Sequence, residues 1–191
     1  MGSVQRGVIA AGVAALLLAV SPVAGAQPFG DDFESGNLGA WDRVSGAPQI
    51  TTATSHHGRY SLKLPPRRSG HLITHNYRRP ARRASLTFSY RRQRAGWIEL
   101  MRLGRNRLRL ADNGRGRLVI RHGRRVISAG RVRRAGNWNR VTIQFDARRD
   151  RVRVFRNGSR TARWLRVPRL RAERRVSFGA RPARNGPLYL D

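Results

Sequence analysis

The sequence predicts an all-β fold, a two-sheet antiparallel β-sandwich, and three observations point to it. From Gln27 onward no stretch has a helical periodicity. Short runs of alternating apolar and polar residues recur instead, and Gly, Asn and Pro signals separate them. Each run can bury only one of its faces, so the runs must form two sheets packed face to face over a shared core.

Taken in chain order, residues 1–26 read as a secretory signal peptide. Arg6 stands in a short basic start, an apolar run follows from Val8 to Val20, and Ala24 and Ala26 form a small-x-small cleavage pattern. The mature domain would then be residues 27–191, secreted or extracytoplasmic, with association to the cell envelope left open. The apolar run is too short for a hydrocarbon core about 30 Å thick, so no transmembrane span is expected after cleavage.

Within the mature chain, "HLITHNYRR" places His71, Ile73, His75 and Tyr77 on one strand face. "ASLTFSYR" sends Leu86, Phe88 and Tyr90 inward and Ser85, Thr87, Ser89 and Arg91 outward. "NRLRLAD" repeats the device, with Leu108 and Leu110 inward and Arg107 and Arg109 outward. "GRLVIRHGRRVIS" reads as a hairpin turning near His122-Gly123. In "NRVTIQFDARRDRVRVFRNGSR", Val141, Ile143 and Phe145 face the core opposite Val152 and Val154. Asn157-Gly158 marks a two-residue turn, because both positions tolerate positive φ.

Composition limits the functional classes. With 191 residues, 39% of them hydrophobic, the chain can bury a core. It carries 40 Lys+Arg against 10 Asp+Glu, a formal charge of +30, and Lys63 is the only lysine. A GC-rich genome accounts for arginine in place of lysine, yet not for the shortage of acids, whose codons are also GC-rich. The excess charge attracts polyanions over a Debye length of about 10 Å at 0.1 M salt. Cysteine is absent, which excludes disulfides and an acylated cysteine. No recognition helix or RNA-binding signature accompanies the charge, so contact with nucleic acid would be non-specific.

"FGDDFESGNLGAWDRVSG", "HHGRYSLKL", "GNWNRVTIQFDARRDRVRVFRNGSR" and "GPLYLD", in that order, resemble the concanavalin A-like jelly rolls of the laminin G-like group in exported bacterial proteins. The carrying motifs are structural: Trp138 opening a strand, an Asn-Gly hairpin and a terminal "LYLD" strand. The resemblance implies a closing strand that runs past the aspartate and pairs beside the first. This chain stops at Asp191, so a short or missing closing strand is expected. The resemblance also makes carbohydrate the first ligand class, although such domains bind proteins too and some are spacers.

Several groups could carry chemistry. A glucanase on this fold needs two carboxylates about 5 Å apart, expected as Glu-x-Asp-x-x-Glu, whereas Glu99 in "WIELMRL" has no acidic neighbour in sequence. The enzymatic alternative is a polysaccharide lyase acting on a uronate polymer, with His75, Tyr77 and His71 moving the proton. The adjacent His56 and His57 would point to opposite faces of a strand and do not make a zinc site. Asp31, Asp32 and Glu34, together with Asp191, could hold a structural Ca²⁺ if the termini pair. Arginine forks bind carboxylate, sulfate or phosphate in a bidentate manner. Trp164, Arg151, Arg153, Arg91, Arg92 and Tyr90 are therefore the candidate ligand-binding residues.

The expected molecule is a monomeric, non-catalytic binding module. Its partner would be an acidic polysaccharide or envelope polymer, with non-specific nucleic acid binding as a side property. A purely structural domain is the remaining alternative.

Overall fold

The computed structural model describes residues 29–66, 70–104, 108–161, 163–180 and 186–191. The expected signal peptide and Arg107 lie outside the described residues. Among the described residues fifteen strands form: β1 (Arg43–Ser45), β2 (Gln49–Thr51), β3 (Ser61–Leu64), β4 (His71–Ala81), β5 (Arg83–Arg92), β6 (Ile98–Leu103), β7 (Leu108–Asp112), β8 (Arg117–His122), β9 (Arg125–Arg131), β10 (Trp138–Asp146), β11 (Arg151–Arg156), β12 (Ser159–Arg160), β13 (Leu165–Arg166), β14 (Glu173–Ala180) and β15 (Leu188–Leu190). Among the described residues no helix occurs, and so none is long and apolar enough to cross a membrane.

Two antiparallel sheets result. Sheet A has the order β1-β4-β14-β6-β7-β8-β9, and sheet B the order β12-β11-β10-β5-β15-β3-β2 with β13 added beside β11. The alternation read from sequence sets the inner faces. Leu108, Leu110, Leu118 and Ile120 of sheet A join Phe88, Val141, Ile143, Val152 and Val154 of sheet B in one buried cluster. Each fully buried side chain of this kind contributes about 1.5–3 kcal/mol relative to exposure.

The register confirms the expected hairpins. Ile143 pairs with Val154 and Phe145 with Val152, which puts the apolar residues of β10 and β11 side by side. The turn after β11 places Asn157 at φ 48° and Gly158 at φ 78°, the left-handed pair that a two-residue hairpin requires. The β8–β9 hairpin closes between His122 and Arg125.

The closing strand differs from expectation. β15 is short, yet it pairs with β3 on one side and β5 on the other, inside sheet B and away from β1. Asp191 prolongs the pairing, donating to Ser89 O at 3.0 Å and accepting from Ser89 N at 2.6 Å. Its ladder groups are thus matched on both sides, and no open edge is left there.

A polar network crosses the core. Tyr90 Oη of β5 donates to Asp112 Oδ2 of β7 at 2.9 Å, Arg92 Nε lies 2.9 Å from the same oxygen, and Gly114 N donates to Asp112 Oδ1 at 2.9 Å. All three side chains are buried. Burial raises the Asp112 carboxyl, against the pull of the Gly114 amide, Arg92 and Tyr90. Burial also raises the Tyr90 phenol far above its ordinary range, with the Asp112 charge and hydrogen bond adding to it.

Candidate functional site

The outer face of sheet B is built by the residues that alternate with the core. On β11 these are Arg151, Arg153 and Phe155, and on β10 Thr142 and Gln144. The segment after β12 turns back along the edge of β11. Its β13 pairs Leu165 with Val152 and Arg166 with Arg151. Val167 N donates to Asp150 O at 2.7 Å, Leu170 N donates to Asp150 Oδ1 at 3.0 Å, and Val167 and Leu170 are buried as anchors. Trp164 is thereby laid against the arginines of β11.

The result is an arginine–tryptophan stack. The Arg151 guanidinium lies 4.2 Å from the Trp164 ring centroid and that of Arg153 lies 4.6 Å away. Arg153 also lies 4.8 Å from the Phe155 ring and donates to Gln144 Oε1 at 2.8 Å. Arg151 Nη2 stands 3.5 Å from Asp146 Oδ2. Stacking and side bonds fix the forks before any ligand arrives, which lowers the ordering entropy of binding. An oxyanion meeting this face finds two fixed guanidinium groups and one carboxylate already engaged.

Asp146 is the electrostatic anchor of this corner. Its burial favours the neutral form, but the Arg83 hydrogen bond and charge, the Arg148 amide and Arg151 outweigh it and hold the carboxyl below its ordinary value. A lowered folded-state value gives stability above the unfolded-state value of about 4 that is lost as pH falls through the folded one. Asp146→Asn is therefore expected to lower the melting temperature at pH 7, with the gap to the parent narrowing below about pH 4. A gap unchanged with pH would remove this ionic role.

The other expected ligand groups separate. Arg91 lies on the same outer face, on β5, two strands from β11, where Nη1 donates to Thr54 Oγ1 at 2.6 Å. It faces Trp138 on one side and Tyr189 on the other. Tyr90 and Arg92 instead point inside the sandwich and belong to the Asp112 network. That position corrects their assignment to the ligand surface, because neither side chain reaches solvent.

The histidines on β4 also take separate roles. His71 is buried; its Nδ1 accepts the Ala47 amide at 2.9 Å, so Nε2 carries the proton and donates to Pro65 O at 2.8 Å. Both nitrogens are committed to backbone. His75 Nδ1 lies 3.1 Å from Asp42 Oδ2, and Phe29 stacks on the ring at 3.7 Å. Tyr77 meets His75 edge-on at 5.0 Å, and burial raises its phenol above the ordinary value. Phe29 thus covers one face of the His75 imidazole while Asp42 engages its Nδ1 in the ring plane.

The acids proposed for Ca²⁺ are divided among backbone amides and the Trp41 indole. Asp31 accepts Phe33 N and Trp41 Nε1, and Asp32 accepts Glu34 N. Glu34 Oε1 accepts Arg59 N and Tyr60 N, while Asp191 Oδ2 accepts His56 N and His57 N. Glu34 and Asp191 thus clasp neighbouring parts of one loop. Gly58 sits between them at φ 63°, where a Cβ would lie 2.4 Å from Glu34 Oε1. Among the described residues no three His, Asp or Glu side chains gather as a metal site.

A second cluster, on the outer face of sheet A, was not expected from sequence. A bulge between Glu99 and Met101 turns Glu99 and Arg102 to the same side. Glu99 bonds Arg102, and its other oxygen lies 3.5 Å from Arg109 Nη1. Arg102, Arg109 and Arg121 are register partners in one row across three strands. Trp97 is 41% exposed beside them, with the Arg121 guanidinium 5.6 Å from its ring.

No family model and no curated protein matches the sequence. Solved structures do match the fold. Cellulose induced protein Cip1 gives a TM-score of 0.68 over 84% of this chain and 93% of its own, at 14% identity. Domain 4 of AbnA, a GH43 extracellular arabinanase from Geobacillus stearothermophilus solved with arabinotriose, gives 0.53 over 83% and 88%, at 9% identity. A glycoside hydrolase family 16 endo-glucanase from Bacteroides ovatus gives 0.51 over 75% and 82%, at 12% identity. The chain has the concanavalin A-like jelly-roll fold that the sequence resemblance implied.

Proposed function

We propose that this chain is an exported, non-catalytic binding module for acidic polysaccharide. The observation that carries the reading is the Arg151–Trp164–Arg153 stack, a pair of forks held beside an aromatic ring on the solvent face of sheet B. A uronate offers complementary chemistry: a carboxylate for a guanidinium and an apolar ring face for the aromatics. The formal charge of +30 adds long-range attraction to any polyanion, and the fixed forks add the geometric preference. Fold neighbours solved with sugars, the arabinanase domain with arabinotriose among them, support carbohydrate as the ligand class.

The test is binding to a panel of neutral and acidic glycans, with DNA as a control, at low and physiological salt. Saturable binding to a uronate polymer should persist at physiological salt and weaken about tenfold in Trp164→Ala. Equal binding to every polyanion, vanishing as salt rises, would overturn the reading and leave a charged coat on a common scaffold.

A further inference from the structure

The two arginine–aromatic clusters stand on opposite outer faces of one sandwich. On sheet B, Arg151 and Arg153 flank Trp164. On sheet A, Arg109 and Arg121 are cross-strand partners, and Arg121 stacks beside the exposed Trp97. Val126, 56% exposed, is paired with Arg121 on the same face. An arginine beside an aromatic ring, with a second arginine adjoining it, is thus presented twice, by unrelated strands: Arg121 lies beside Trp97 and Arg109 is its neighbour on the next strand. Glu99 is consumed internally by Arg102 and Arg109, so it holds the row in place, and the row keeps a net positive charge.

Geometry decides what this duplication can do. The sheets pack at about 10 Å and their outer faces look in opposite directions. A polymer segment lying on one face cannot reach the other without turning around the domain. Both faces carry the same chemistry, so both select the same kind of ligand.

We propose that the domain is bivalent and cross-links acidic polysaccharide chains, one on each face of the sandwich. The inference rests on the polysaccharide reading above and extends it to a second site and a bridging role. A bivalent particle turns two modest affinities into a network when polymer sites and protein faces are near balance, and excess protein dissolves that network by coating every chain singly.

The test uses the full chain at physiological salt with two probes, long hyaluronan and a hyaluronan oligosaccharide too short to wrap the domain. Calorimetry should give two oligosaccharides per chain. Light scattering of the long polymer should rise and then fall as protein is added, while protein alone stays monomeric. Arg109→Gln/Arg121→Gln should bind one oligosaccharide and lose the scattering, and Arg151→Gln/Arg153→Gln should do the same from the other face. Arg133→Gln/Arg134→Gln removes the same charge from an exposed loop and should keep both properties. Circular dichroism establishes that each variant is folded. One oligosaccharide per parent chain, or scattering that survives both single-face variants, would overturn bivalency while leaving the polysaccharide reading standing. Absence of saturable oligosaccharide binding would overturn both.

Discussion

Asp112→Ala should destabilise the domain by about 3–5 kcal/mol, enough to bring a marginally stable sandwich close to unfolding at room temperature. The loss comes from what remains. Arg92 would keep its charge in the interior with no counter-ion, and the Tyr90 hydroxyl would lose its acceptor. Tyr90→Phe removes one hydrogen bond and leaves the Asp112–Arg92 pair, so its cost should be lower, about 1–3 kcal/mol. Urea unfolding of the two variants checks the order. A cost below about 1 kcal/mol for Asp112→Ala would mean that water or a relaxed Arg92 replaces the carboxylate. The network joins β5 of one sheet to β7 of the other, so its integrity fixes how both outer faces are presented.

Arg151→Gln/Arg153→Gln should weaken binding of a uronate polymer to the sheet B face at least about tenfold at low salt, and lower stability by roughly 1–2 kcal/mol because Arg151 pairs with the buried Asp146 and both forks stack on Trp164. The slope of log affinity against log salt should become shallower by roughly 1–2, since two cations no longer displace counter-ions. Trp164→Ala leaves the charges in place, so it should lower affinity while the salt slope stays as in the parent. An equal drop in slope for both variants would mean that Trp164 acts only by supporting the fold of the β13 segment.

The alternation of residues in the sequence carried most of the fold. "RVRVFR" divides by parity into Val152 and Val154 inside and Arg151, Arg153 and Phe155 outside, and the structure keeps that division. The same parity bears on Tyr90 and Arg92. Leu86, Phe88 and Tyr90 already formed the inner face of β5, so grouping Tyr90 and Arg92 with surface arginines followed charge and aromaticity where strand position decides. A buried Arg92 becomes intelligible only once Asp112, twenty residues away and on the other sheet, is known to face it.

The stack on β11 was only partly visible. Trp164 stands eleven residues past Arg153, and nothing local says that the intervening segment folds back; Asp150 and the buried Val167 and Leu170 make it do so. The cluster on sheet A was hidden by a bulge. Glu99 and Arg102 are three apart, which in a regular strand sets them on opposite faces, and the extra residue between Glu99 and Met101 brings them together. In sequence Glu99 stands without an acidic neighbour, and its partners in the fold are the arginines Arg102 and Arg109.

In the proposed reading, fixed arginine–aromatic geometry, beyond net charge, selects acidic polysaccharide. Calorimetric titration of the parent chain at physiological salt tests it most directly, with a uronate oligosaccharide and a neutral oligosaccharide of equal length, and a single-stranded DNA of equal charge. Saturable binding of the uronate is expected, at least about tenfold tighter than the DNA, with no heat from the neutral sugar. Equal affinity for uronate and DNA, or none for either at that salt, would contradict it.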